Sequence, residues 1–168
     1  MKKNLIYLFV FIIISFSRFI PHSPNFNIVL ALSFYVPAIL GQRYILVLLL
    51  SYIFTDIIIG LHDTIYWTWS SVLIINFLAI KLKNTFSYRV IGSILGAIIF
   101  FVVTNFGFWT TGAYGLTAEG LVTSYLMAIP FFSNSLVSTI FYACIFEGLI
   151  KINFINKYLK INFNQRSY

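Results

Sequence analysis

The chain has 168 residues, 60% of them hydrophobic and only 9% charged, with a mean hydropathy of +0.93 and a formal net charge of +7. Soluble domains carry about 25% charged residues, so this composition excludes an ordinary soluble fold and points to a lipid bilayer as the solvent. The positive charge is not a nucleic-acid footprint, because the basic residues are dispersed between apolar runs rather than gathered in one stripe, and no nucleic-acid partner is expected.

The first apolar run covers residues 4–20, and the second covers 26–40. The third spans 44–61 and the fourth 65–80. The fifth spans 90–108. The last spans 134–150, after a shorter apolar stretch at 121–132. Pro130 and Asn134 are expected to break this final region into a short external segment and a sixth helix. A spanning helix needs about 20 apolar residues, within a range of about 17–25. The second and fourth runs fall short of that and must borrow flanking residues. The pattern predicts an all-α integral membrane protein, a bundle of about six transmembrane helices in one domain over residues 1–153. A basic tail over 154–168 follows. The single cysteine, Cys144, lies inside an apolar run and excludes an internal disulfide.

The loops predict orientation. Lys2, Lys3, Arg43, Lys81, Lys83, Arg89, Lys151, Lys157, Lys160 and Arg166 fall on one side of a six-span arrangement, which leaves only Arg18 of the basic residues on the other. Lys and Arg concentrate in cytoplasmic loops, so both termini are expected in the cytoplasm of a cell whose inner membrane holds the chain. A competing reading of the start is a signal peptide, with Ser15-Phe16-Ser17 as the small-x-small cleavage site. Large Phe and Arg residues around that site favour retention.

With that orientation both histidines, all three tryptophans and three of the four acids lie at or near the external face. A functional site is therefore expected to open outward. Asp56 lies inside the third predicted helix, about 8 Å from its external end at 1.5 Å per residue. An acid there is unfavourable by about 2.5–3.5 kcal/mol on insertion scales and must face the bundle interior with a partner. Tyr52, Asp56, Gly60 and Asp63 share one helical face, and Gly60 would admit a ligand or backbone to it. Two readings of Asp56 are open: ligand contact, or a structural ion pair with Arg18.

Arg18, His22, Asn25, Asp56, His62 and Asn105 come from different segments at similar depth and are expected to converge in one outward, ligand-binding pocket. Trp67 and Trp109 are expected on its rim, although an interfacial tryptophan belt is the simpler explanation for either ring. Gly92-xxx-Gly96 and Ser93-xxx-Ala97 form small-residue faces that admit a close neighbour helix. Gly107 is expected to mark a bend or helix end. Glu147 lies one turn before Lys151, which predicts a helix-end ion pair. The sequence contains no HExxH, GxSxG or P-loop motif and no Cys/His metal spacing. His22, His62, Asp56 and Asp63 would have to assemble in three dimensions to hold a metal, and no metal or other cofactor is expected.

Four segments carry a family resemblance: Arg18-Phe-Ile-Pro21-His22-Ser-Pro24-Asn25-Phe26, Asp56-Ile-Ile-Ile-Gly60-Leu-His62, Thr104-Asn105-Phe106-Gly107-Phe108-Trp109, and Pro130-Phe131-Phe132-Ser133-Asn134. In this order, over nearly the whole chain, they resemble a family of small bacterial integral membrane proteins of unknown function. That family in turn resembles the substrate-binding S components of energy-coupling factor transporters. The resemblance implies a six-helix protein that captures a vitamin or metal from outside and docks on an energy-coupling module. Two departures stand in the sequence. The first helix lacks the Ala-xxx-Ala face with which many S components pack on the coupling subunit. The chain also begins Met1-Lys2 rather than with the Met-His of metal-specific members.

The leading expectation is a membrane solute-binding or uptake component for a small molecule, not an enzyme. The rival is a non-transport protein that organises a membrane complex, its polar loops locking one another without a cavity. An intramembrane enzyme using His22, His62 and Asp56 is the third class.

Overall fold

The computed structural model describes residues 2–152, with no side-chain description for residues 2–4. The expected tail, residues 154–168, lies outside the described residues. Among the described residues six α-helices follow one another: α1 (Lys2–Phe19), α2 (Val29–Leu40), α3 (Ile45–Ile59), α4 (Ile65–Lys81), α5 (Phe86–Thr110) and α6 (Ala118–Lys151). A 3-10 turn, Gln42–Tyr44, leads directly into α3. Three stretches, Gln42–Ile59, Phe86–Thr110 and Ala118–Lys151, are long and apolar enough to cross a membrane, and the other helices are shorter and apolar. No strand occurs among the described residues.

Polarity is distributed inside out. Leu5, Phe9, Phe16, Ile57 and Val122 are more than half exposed, while Ser33, Ser51, Thr55, Ser71, Asn76, Ser93 and Thr139 are buried. This distribution is consistent with hydrocarbon as the solvent, in which polar side chains are favoured inside a bundle.

The short helix α2 occupies the centre. Its twelve residues reach about 18 Å, less than the roughly 30 Å hydrocarbon core. Ten consecutive residues, from Val29 to Ala38, are buried, as a helix apolar on every side requires. It packs against α1, α4, α5 and α6. The sequence read 26–40 as a spanning segment; the structure makes its helical part a central plug. Asn27 Oδ1 accepts from Val29 N–H (3.0 Å) and starts the helix. Gly41, at φ 101°, ends it in a conformation open to glycine.

The remaining helices wrap this core. α1 and α3 run side by side in the same direction, with Tyr7 on Tyr44 (centroids 4.6 Å apart), Phe11 near Phe54 (5.4 Å) and Arg18 against Asp56. On α5, Gly92 leaves room for the ring of Phe34 from α2, and Gly96 faces Ile75 of α4. Gly107 is neither a bend nor a helix end. It lies within α5 and makes room for the Trp67 side chain.

α6 is one helix of 34 residues, about 51 Å long, and the expected break at Pro130 and Asn134 does not occur. Contacts on both sides of the proline hold the helix in line. Tyr125 Oη donates to Val102 O (2.7 Å), Phe132 packs on Phe101 (4.5 Å), and Asn134 Nδ2 donates to Pro24 O (3.0 Å). Neighbouring helices commonly compensate the backbone bond that a helical proline forfeits in such bundles.

Glu147 does not pair with Lys151. It takes a two-point contact from Arg89, Nε to Oε1 and Nη2 to Oε2, both 2.6 Å. Tyr35 Oη adds a third bond to Oε1 at 3.0 Å. Glu147 points into the bundle at 4% exposure, where the planar fork of Arg89 matches its carboxylate. Lys151 instead lies over the Phe86 ring. Arg89 belongs to the first turn of α5 rather than to a loop, and it also binds Asn84 O and Oδ1. This cluster ties α2, α5 and α6 together at the end of the bundle that carries Lys81 and Lys83.

Candidate ligand cavity

At the opposite end the brevity of α2 leaves a space. Its first residues, Val29 and Leu30, line the floor, and the walls come from longer elements: Arg18 of α1, Tyr52 of α3, Thr68 of α4, and the far portions of α5 and α6. The cavity is about 390 Å³, within the range of small-molecule sites. A side recess of about 80 Å³, reaching Phe101 and Phe132, adjoins it through Asn25, Thr104 and Asn105.

Helical spacing supplies the walls. Phe100, Thr104 and Phe108 recur every four residues on α5, and Ser124, Ala128, Phe131 and Ser135 form one face of α6. The hydroxyls of Thr104 and Ser124 donate to Phe100 O (2.7 Å) and Leu121 O (2.8 Å) of their own helices. Their oxygen lone pairs remain for another donor. Asn105 likewise donates its amide to Phe101 O (2.7 Å), which leaves Oδ1 as an acceptor. The segment between α1 and α2 closes one side. Asn25 sits at φ 60°, a left-handed conformation that Asn tolerates better than most residues. Phe26, which lies 6.4 Å from both Phe141 and Tyr142, and the bond from Asn134 to Pro24 O hold this segment against α6.

Arg18 carries the charge. Nη1 donates to Thr55 Oγ1 (2.6 Å) and Tyr52 O (3.3 Å), and Nη2 lies 2.6 Å from Asp56 Oδ1. The guanidinium also lies over the Tyr52 ring, 4.8 Å from its centroid. Asp56 is 1% exposed, and its other oxygen accepts from Trp69 Nε1 at 2.7 Å. Asp56 therefore stands behind Arg18 as a partner of protein groups.

Of the eight residues singled out from sequence, Arg18, Asn25, His62 and Asn105 line the cavity; His22, Asp56, Trp67 and Trp109 do not. His22 is exposed, its Nδ1 2.9 Å from Ser23 O. Trp67 wedges over Gly107 and meets the Phe106 ring edge to face (5.3 Å). Trp109 donates to Thr117 O (3.1 Å) and packs on Phe106. Both rings thus serve packing at this end of the bundle. Gly60 has nothing within 4 Å of where a side chain would begin, so its φ of 125° at the end of α3 explains it rather than a close approach. Among the described residues, no three His, Cys, Asp or Glu side chains cluster as metal ligands.

Sequence reasoning missed Thr64, Thr68, Phe100, Tyr114, Ser124 and Ser135 as lining residues, and Trp69 as the partner of Asp56. The four-residue spacing of Thr64 with Thr68, and of Phe100 with Thr104 and Phe108, is a legible signal of shared faces. Nothing local says that those faces turn inward.

Fold and cavity together define a class: an all-helical, lipid-compatible bundle with a polar cavity at one end. The chain matches, over residues 1–161, the family described as "Family of unknown function (DUF6580)", and it belongs to that family. No curated protein and no solved structure matches it.

Proposed function

We propose that this chain is a multi-pass component of a bacterial inner membrane that captures a small molecule from the external side. Its six helices form the membrane-embedded body, and both termini face the cytoplasm. The observation that carries the reading is the cavity of about 390 Å³ walled by Arg18, Asn25, His62 and Asn105, at the end opposite Lys81 and Lys83. The positive-inside rule assigns the lysine end to the cytoplasm, so the cavity faces out. An S-component-like role would require an energy-coupling module as partner, and co-purification with such a module tests that separately.

A thermal-shift screen of the purified protein against vitamins, nucleobases and divalent metals tests the reading. A stabilising ligand whose effect disappears in Ala128→Trp, which fills the cavity, supports capture. Stabilisation that survives this substitution refutes it. A second reading, a structural protein that organises a membrane complex, is favoured by Asp56, both of whose oxygens are engaged by Arg18 and Trp69. On that reading Ala128→Trp leaves the cellular function intact.

A further inference from the structure

Among the described residues two arginine–carboxylate pairs differ in a way relevant to ligand choice. At the Lys81 end the pair is closed. Arg89 meets Glu147 at two points, Tyr35 and Asn84 take further positions, and none of these residues lines the cavity. At the cavity the pair is open. Arg18 meets Asp56 through Nη2 alone, and Nη1 serves Thr55 and Tyr52. A guanidinium carries five N–H donors, so Nε–H and the second Nη2–H of Arg18 have no acceptor among these contacts. Arg18 is also the only side chain of fixed charge among the described residues that line the cavity, and no carboxylate lines it. Asp56 has its Oδ2 taken by Trp69, so it offers a ligand cation little. The first turn of α2 at the floor adds the positive end of a helix dipole. The remaining wall is apolar and aromatic, with Phe100, Phe108, Met127 and Phe131.

Building on the capture reading, we infer that this cavity selects small planar molecules that carry a carboxylate. The carboxylate takes the unused N–H groups of Arg18, and the ring lies against Phe100, Phe108 and Phe131. A cationic molecule of the same shape is rejected, because the ammonium would be placed beside Arg18 with no acid to receive it. An uncharged amide offers the same guanidinium only one neutral acceptor oxygen, and so lacks both the two-point contact and the charge pairing that a carboxylate makes.

The test uses matched probes with the full-length protein in detergent. One series is nicotinate, nicotinamide and 3-(aminomethyl)pyridine; the other is indole-3-acetate, indole-3-acetamide and tryptamine. Affinity is read by calorimetry and by thermal shift. In at least one series the acid is expected to bind about tenfold more tightly than its amide, the factor that one additional charge-paired hydrogen bond of about 1.4 kcal/mol supplies. The amine is expected to bind weakest. Because Arg18→Gln alone strands Asp56, the decisive variant is Arg18→Gln with Asp56→Asn, which removes both charges. It should lose the acid preference while still binding the amide. Equal binding of acid and amide, preference for the amine, or an acid preference that persists in the double variant overturns the selectivity and leaves capture standing. If no probe binds, or if Ala128→Trp binds as the native chain does, both the selectivity and the cavity assignment fall.

Discussion

Gly92→Ala sets one methyl group against a fully enclosed aromatic ring. A Cβ added at Gly92 would overlap Cζ and Cε2 of Phe34 and would stand 3.0 Å from Leu82 Cδ1. Phe34 is 1% exposed and has little room to yield, because it packs edge to face with Tyr35 (6.3 Å) within a cluster that includes Ile75, Ala97 and Ala143. Relief requires an unfavourable Phe34 rotamer or a wider separation of α2 and α5, and such overpacking costs about 1–3 kcal/mol. Gly96→Ala is the internal control. Its Cβ would meet the Ile75 side chain, nearest at Cγ2, 3.2 Å away, a contact relieved by a small shift. Alanine also favours a helix by about 0.8–1.0 kcal/mol over glycine, so Gly96→Ala should be close to neutral while Gly92→Ala is clearly destabilised. Helix content followed by circular dichroism, as SDS is titrated into mixed micelles, measures both variants. Gly92→Ala with Phe34→Leu should recover part of the loss, since the smaller side chain vacates the space. A Gly92→Ala protein as stable as the native chain, or one indistinguishable from Gly96→Ala, would refute the proposed contact between α2 and α5.

Glu147→Gln should destabilise the bundle by about 3–5 kcal/mol, because it leaves Arg89 charged and buried without its carboxylate. Lys151→Gln should change stability by less than about 1 kcal/mol; the same detergent unfolding assay compares the two, and equal losses would contradict the observed pairing. Asp56→Asn should also lower stability and should alter tryptophan emission through Trp69, whose indole N–H binds that carboxylate; an unchanged spectrum in a Trp67→Phe, Trp109→Phe background counts against this bond. Thr117→Ala should cost about 1 kcal/mol, since Thr117 Oγ1 accepts from Gly120 N–H at the start of α6 (3.1 Å), and thermal unfolding in detergent checks it. For orientation, cysteine placed at His62 should react with an impermeant reagent in intact cells while cysteine placed at Lys83 should not; the reverse pattern would invert the proposed topology.

Composition alone determined that this chain is apolar and suited to lipid, and the lengths of its apolar runs that it is helical. Hydropathy is a local property, so the approximate positions of the first five helices and the gathering of tryptophans and histidines toward one end could be read residue by residue, whereas the sixth was read too short. The need of Asp56 for a buried partner was equally legible, because an acid in an apolar helix has few alternatives, and Arg18 is that partner. The inward choice of helix faces required the tertiary structure. In this chain the surface and the core are both apolar, so the periodicity that marks the buried face of a soluble helix is weak. For that reason the central position of α2, the use of Gly107 to admit Trp67, and the facing of Ser124, Ala128 and Ser135 into the cavity were hidden. Sequence proximity also favoured Lys151 for Glu147 and a break at Pro130. The distant Arg89 won the carboxylate because its fork could reach two oxygens at once, and α6 stayed whole because Phe101, Val102 and Pro24, all remote in sequence, hold both sides of the proline.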